Sequence, residues 1–492
     1  MQHCLPPGRA IYSSIAAGLY TIAPPYRKIQ QVTSLSATLS WRNELGRLFK
    51  LAGPLIVNNL SIAGMQFADA VMAGRLGVST LAAVAVGGSL WFFAFTMALG
   101  LLMAISPIAA RHFGAGNSHL IGRYTRQGIY LGAALSIPVI LAAQFLVQPL
   151  LVFIPIDPEF REMTIGYVQA ITLGAPGMFV FLALRFTTEG IGVTKPMMYV
   201  SVFALVCNVF LNWVFIFGNL GAPALGAVGC GLASAITMWL IAIILAVHMF
   251  SAEIYKSMGI FSRLAPLRPE VFKEIFVLGL PIAITITAEA GLFNAVSIIM
   301  GTLGAAITAA HQIAINFAST MFMIPLALSS AITIRVGHEL GAGQVIRARY
   351  AGGFGIFVCA AFMACSAIAL LVFRDAVVSM YTTDEFVKDI AISLLLMAAI
   401  FQVGDGVQIG AAGALRGYKD TRMPMIINTV SYWVIAFPLA YLAAVTFRMP
   451  PNYIWGGFVA GLSVAAILLT WRYNRLSRSL VRVSRGRTDI RI

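Results

Sequence analysis

The chain is 492 residues long, 59% hydrophobic and only 10% charged, with 33 Lys plus Arg against 18 Asp plus Glu and a formal net charge of +15. Soluble globular proteins are about 25% charged, so this composition, with a mean hydropathy of +0.87, excludes an ordinary soluble domain, a disordered chain and a disulfide-stapled secreted one. The basic balance would suggest nucleic acid for a soluble protein, but Lys and Arg also collect in the cytoplasmic loops of helical membrane proteins, so membrane lipid and no nucleic acid is the expected surrounding.

Residues 1–45 form a basic N-terminal tail expected to be disordered, with Arg9, Arg27, Lys28 and Arg42 and no acid before Glu44. Residues 10–23 are apolar enough to allow a cleaved signal peptide, but a mobile tail or an overcalled start fits better; no Met lies between Met1 and Met65. A spanning helix needs about 20 mainly apolar residues. On that rule twelve follow, at 52–72, 82–107, 128–150, 166–186, 196–218, 229–250, 279–300, 309–333, 352–374, 391–413, 424–446 and 455–472. Connections such as Gly218-Asn219-Leu220-Gly221-Ala222-Pro223 are short and rich in turn formers, which leaves no room for a soluble catalytic domain. The organisation read from this is an all-α integral membrane protein with an N-terminal lobe over 46–250 (spans 1–6), a polar cytoplasmic linker over 251–278, a C-terminal lobe over 279–472 (spans 7–12) and a basic cytoplasmic tail over 473–492.

Alternate connections divide the basic residues unevenly. Of the 33, all but Arg75, Arg161, Arg374, Lys388 and Arg448 fall on the side that holds both ends of the chain, which places both termini in the cytoplasm of a multi-pass protein, expected in a bacterial inner membrane. Five cysteines contain no C-x-x-C pair, and Cys207, Cys359 and Cys365 lie in apolar runs, so they read as small core or lipid-facing residues.

Sliding the chain on itself by 227 residues superposes Pro54 on Pro281, Gly64 on Gly291, Gly74 on Gly301, Gly77 on Gly304 and Ala82-Ala83 on Ala309-Ala310. The same shift places Gly114-Ala115-Gly116 on Gly341-Ala342-Gly343, Gly190 on Gly417 and Thr194 on Thr421. An unbroken register implies duplication. Six spans per repeat is an even number, so the repeats are parallel and related by an axis along the membrane normal, the arrangement of secondary transporters with a substrate cavity between halves.

Fifteen of the 18 acids lie in connections or tails; Asp69, Glu289 and Asp405 lie within spans 1, 7 and 10, where no Lys or Arg sits deep enough to pair with them. Each charge costs roughly 2.5–3.5 kcal/mol at mid-membrane, which favours cation or proton sites over protonated interhelical glue. Glu289 corresponds through the repeat to position 62, so Asp69 lies seven residues further along the equivalent helix, two turns away on the same face, about 10 Å along the axis. Asn208 and Asn212, spaced i,i+4 in span 5, could serve an ion near Asp69 or a packing contact. Gln402 and Gln408 flank Asp405 and could line a wet cavity, with Gln66, Gln312 and Asn316 as weaker candidates, whereas His311 reads as a satisfied interhelical histidine. The 21 Met and 32 Phe suit a promiscuous apolar pocket or lipid contact.

No G-x-x-x-x-G-K-[ST], H-E-x-x-H or G-x-S-x-G motif occurs, so neither nucleotide hydrolysis nor a catalytic cluster is expected, and the chain is read as a non-enzyme. Several stretches together resemble the MATE (multidrug and toxic compound extrusion) family, NorM-like branch. They are Phe67-Ala-Asp-Ala-Val-Met-Ala-Gly-Arg75, Glu189-Gly-Ile-Gly-Val-Thr-Lys-Pro196, Gly221-Ala-Pro-Ala-Leu-Gly-Ala-Val-Gly-Cys-Gly231, Ala309-Ala-His-Gln312, Arg335-Val-Gly-His338 and Ala414-Leu-Arg-Gly-Tyr-Lys-Asp420. The resemblance implies two six-helix lobes forming a V-shaped cleft and a Na+- or H+-coupled antiporter that exports amphipathic, often cationic drugs by alternating access. It implies that Asp69 belongs with Asn208 and Asn212 to a first-lobe site, and that Glu289 and Asp405 form the second-lobe cation site, with Na+ held there transiently and no tightly bound metal or cofactor. Sodium-coupled relatives carry a Tyr four residues before the span-10 Asp; here Phe401 keeps a π face without the hydroxyl. A monomer is expected. The alternative is a flippase of a lipid-linked precursor, which would need basic residues along the central cavity.

Overall fold

The structure, a computed structural model, describes residues 40–152, 157–261 and 266–488; of the tail expected to be disordered over 1–45, residues 1–39 lie outside the described residues, as do the last four of the chain, while the end of that tail from Trp41 is already helical. Of two compact units, Met1–Asn43 and Glu44–Ile492, the first contributes only Ser40 and the opening turn of a helix at Trp41 to the described residues.

Twelve helical segments follow: α1 (Trp41–Gly74), α2 (Val78–Gly114), α3 (Ser118–Phe145), α4 (Pro158–Thr172 and Ala175–Gly190, bent by 45°), α5 (Lys195–Phe217), α6 (Gly226–Ser251), α7 (Pro269–Thr302), α8 (Ala305–Gly341), α9 (Val345–Ser379), α10 (Glu385–Gly417), α11 (Arg422–Thr446) and α12 (Pro451–Thr488). Each overlaps one expected span. In lipid the backbone must satisfy its own hydrogen bonds, and a helix does so within one segment; α1 and α7 run on through Pro54 and Pro281, which membrane helices tolerate. Helices overrun the apolar stretches because winding continues past the lipid: α1 and α7 begin at Trp41 and Pro269, and α12 runs to Thr488. The stretch read as a polar linker is more than a spacer. It contains a short helix, Glu253–Lys256, and buries Tyr255, Met258 and Ile260 in the first-half core.

The duplication is visible in the backbone. Residues 227 apart share left-handed turns: Gly116 (φ 72°) and Gly343 (φ 75°), and Gly192 (φ 81°) and Lys419 (φ 62°). Asn117 (φ −95°, ψ 62°) and Gln344 (φ −91°, ψ 67°) open α3 and α9 in the same conformation.

The two lead helices cross between the halves. Val271, Ile275 and Leu278 of α7 pack into the first-half core, while Leu292, Val296 and Met300 of the same helix join the second-half core. Reciprocally, Leu48 and Ala52 of α1 pack with Leu328, Ala331 and Ile332 of α8, while Ala73 packs with Ala83 and Tyr167. The face at which α1 and α7 begin, here the basic face, therefore holds a seam between the halves. On it Gly114 lies against the His338 carbonyl and Gly341 against that of Arg111, leaving no room for a Cβ at either position; both pairs are related by the 227-residue shift. His338 Nε2 donates to the Gly190 carbonyl at 2.8 Å. Arg335 donates to both oxygens of Glu44 at 2.9 and 3.0 Å and to Glu339 at 2.8 Å. Glu274 accepts from Tyr124 Oη and, at 2.8 Å, from Lys419 Nζ.

Candidate functional site

Polar groups within the spans gather in two clusters, one in each half. The first is built by α1, α5 and α6. Asn208 and Asn212, four residues apart, present their amides on one face of α5. Asn212 Nδ2 donates to Asp69 Oδ1 at 2.5 Å and to Asn208 Oδ1 at 3.2 Å; Asn208 Nδ2 donates to Ser234 Oγ at 3.3 Å, and Ser234 Oγ in turn to Asp69 Oδ2 at 3.4 Å. The Cys230 thiol, one turn before Ser234 on α6, also faces this carboxylate, and Tyr167 lies within its electrostatic reach. Both asparagines are buried, whereas Asp69 is partly exposed. Asn212 Oδ1 is buried without a hydrogen-bond partner, so the cluster holds two kinds of oxygen acceptor, a carboxylate and amide carbonyls. Hard oxygen donors of this kind suit a small hard cation.

The second cluster is built by α7, α10 and α11. Asp405 is 3% exposed, and its Oδ1 has no hydrogen-bond partner. Glu289 of α7 lies close enough to interact with it electrostatically, and Tyr432 of α11 lies within reach of both acids. Gln408 Nε2 donates to Tyr432 Oη at 2.5 Å while its Oε1 has no partner. Gln402, fully buried on the same helix, and Asn428, one turn before Tyr432, have neither amide atom paired. Each unpaired buried polar group costs about 1–3 kcal/mol, and α10 and α11 carry several of them within the apolar spans. The α11 backbone winds as a π-helix over Ser431–Ala436 and again over Leu442–Thr446, a departure frequent at functional sites.

Phe401 is 4% exposed and packs against the rings of Phe293, Trp455 and Phe458. His311 accepts from Trp455 Nε1 at 3.1 Å and pairs with Ser297 Oγ at 2.9 Å, the satisfied interhelical state expected of it. Asn316 donates to the Gln312 carbonyl, and Gln66 is exposed.

One sequence expectation needs correction. Asp69, Glu289 and Asp405 do lack a Lys or Arg ion pair among the described residues, but the spans are not free of buried cations. Arg416, expected in a connection, is 8% exposed near the end of α10 and lies within electrostatic reach of Glu289. Arg185 is likewise buried, paired with Glu189 at 2.6 Å. Sequence reasoning also missed Ser234, Cys230 and Tyr432. Ser234 and Cys230 are spaced i,i+4 within the small-residue run that opens α6, a weak signal; Tyr432 had none, being one aromatic among many in an apolar helix.

The MatE family model matches the chain twice, over residues 54–214 and 281–442, the two matches opening at the 227-residue shift of the repeat. Multidrug resistance protein NorM of Aliivibrio fischeri is 38% identical over 460 residues, covering 92% of this chain and 99% of that protein. Multidrug resistance protein PmpM of Pseudomonas aeruginosa is 37% identical over 452 residues, covering 91% and 95%. Among solved structures, the eukaryotic MATE transporter AtDTX14 superposes with a TM-score of 0.80 over 89% of this chain and 98% of that one, at 22% identity, a likeness of fold. Two matched copies and relatives aligned over nearly their whole length lead to one conclusion: the chain belongs to the MatE family, with NorM-like relatives.

Proposed function

We propose that the chain is a multidrug efflux antiporter that exports amphipathic, often cationic drugs in exchange for Na+ or H+. The observation that carries this reading is the second-half cluster, in which Asp405 and Glu289 interact without an ion-paired base, and Tyr432, within reach of both, accepts from Gln408. A buried acid pair of this kind holds one cation or proton far better than two full charges. In this reading Asp69, held by Asn212 and Ser234, is the matching acid of the first half; Asn208 positions both, and Gln402 and Gln408 supply amide oxygens beside Asp405.

The cycle follows from charge. A cation entering from outside neutralises the carboxylates, the halves reorient, and the drug held between them is released outward. One charge entering down 100 mV supplies about 2.3 kcal/mol, and at 1.4 kcal/mol per tenfold this sustains a neutral drug gradient of about 50-fold. The proposed location is the bacterial inner membrane, and the skewed Lys and Arg count supports an orientation with the basic face and both termini in the cytoplasm. The assembly proposed is a monomer, since each chain supplies both halves.

Dye efflux from energised vesicles, with Na+ and pH gradients imposed separately, tests the reading and identifies the coupling ion. Asp405→Asn or Glu289→Gln is expected to abolish efflux at normal expression; wild-type ethidium export by the inserted double variant overturns the proposal.

A further inference from the structure

On the seam near the basic face lies a small cavity whose walls pair repeat-equivalent residues: Met103 with Ser330, Ser106 with Thr333, and Glu189 with Arg416. The cavity therefore sits where the repeat axis crosses the seam. The first two pairs are uncharged, and the third breaks the symmetry. In the first half Glu189 accepts from Arg185 Nε four residues earlier on the same helix, at 2.6 Å, and the two charges cancel. The equivalent positions in the second half are Ala412 and Arg416, so the second half sets a cation where the first half has its acid, and has no charged partner four residues before it.

The guanidinium is held by neutral groups. Nη2 donates to Ser329 Oγ at 2.7 Å, Nη1 reaches across the seam to Met103 Sδ at 3.3 Å, and Nε is buried without a partner. Burying an unpaired guanidinium is strongly unfavourable, and an apolar side chain of similar length would stabilise the fold more; packing does not account for its presence. Its location does. Asp405 lies eleven residues earlier on α10, roughly 16 Å along the helix axis, and Glu289 feels the same charge. Arg416 thus stands between the second-half acids and the basic face.

We propose that Arg416 is the cation barrier of the closed seam, the residue that keeps the coupling cation from leaking past Glu289 and Asp405 to the basic face without drug; this rests on the cation-coupled reading above. A unit charge about 4 Å from a like charge at an effective dielectric of 20 is disfavoured about a thousandfold, and fixed arginines exclude cations from other membrane pathways in this way. The fixed charge on the far side also leaves the acid pair open to cations from the opposite face alone.

The test uses the full chain in liposomes without drug, with an entrapped Na+ or pH indicator and an imposed inside-negative potential. Wild type and Arg416→Lys are expected to be tight, and Arg416→Gln to raise cation entry at least tenfold. Ala412→Glu, which leaves the arginine in place but sets a carboxylate four residues before it, is expected to leak as well, and it serves should Arg416→Gln not insert. Equal leak from Arg416→Gln and Arg416→Lys, or tightness in both Arg416→Gln and Ala412→Glu, overturns the proposal. Failure of the coupled reading is separately visible as wild-type dye efflux that answers neither imposed gradient.

Discussion

At the scale of single residues the first-half cluster is a graded test of what holds a carboxylate ready inside a membrane. Asn212 makes the shorter bond to Asp69 and Ser234 the longer one, and a hydrogen bond to a charged group is worth about 1.5–3 kcal/mol. We expect Ser234→Ala to weaken the apparent affinity for the coupling cation a few-fold and Asn212→Leu at least tenfold, read as efflux rate against cation concentration. The reverse order would place the working contact elsewhere. Lys419 offers a second test. Its repeat mate is Gly192, and Lys419 holds the same left-handed backbone (φ 62°) at the unfavourable expense of a side chain. Its ammonium, which burial pushes below the usual lysine range against the opposing pull of Glu274, is tied to that acid at 2.8 Å. Lys419→Ala loses the pair and keeps the strain, whereas Lys419→Gly loses both. The glycine variant should therefore be the more stable by about 1 kcal/mol, measured by thermal unfolding in detergent; equal stability would show that the turn is unstrained.

Among helices, the seam carries the clearest consequence of duplication. Gly114 abuts the His338 carbonyl and Gly341 abuts the Arg111 carbonyl, the same contact made twice across the axis. Gly114→Val and Gly341→Val are thus expected to act alike: each inserts normally, each holds α2 and α8 apart, and each lowers dye efflux at least tenfold. A wild-type rate from either, with the other impaired, would mean that the two contacts do different jobs. The glycines are legible in the sequence as a Gly-Ala-Gly repeated at the 227-residue shift. Their use as a close approach between halves depends on α2 and α8 meeting at the axis, which no local pattern encodes. The crossing of α1 and α7 between cores was hidden for the same reason, since an all-round apolar helix reports that it is buried in lipid or protein without naming its neighbour.

For the whole molecule, the uneven distribution of basic residues makes a sidedness claim that labelling can check. With the native cysteines replaced, Arg75→Cys and Arg448→Cys should react with an impermeant thiol reagent from outside intact cells, and Arg347→Cys and Arg422→Cys only after permeabilisation; the opposite pattern would invert the proposed orientation.

Amino-acid order alone was enough for the twelve helices, the two-fold duplication and the three acids. Apolar runs of spanning length, a constant 227-residue shift and a charge inside lipid are each properties of local composition that no tertiary contact can overturn. What only the tertiary structure decided is how those pieces meet: that Ser234 joins Asn208 and Asn212 around Asp69, that Tyr432 faces Glu289 and Asp405, and that Arg416 enters the seam instead of a solvated loop. The reason is physical. A hydroxyl can satisfy itself on the preceding turn of its own helix, and an arginine at a helix end can reach either water or protein, so neither side chain declares its partner until the helices are packed.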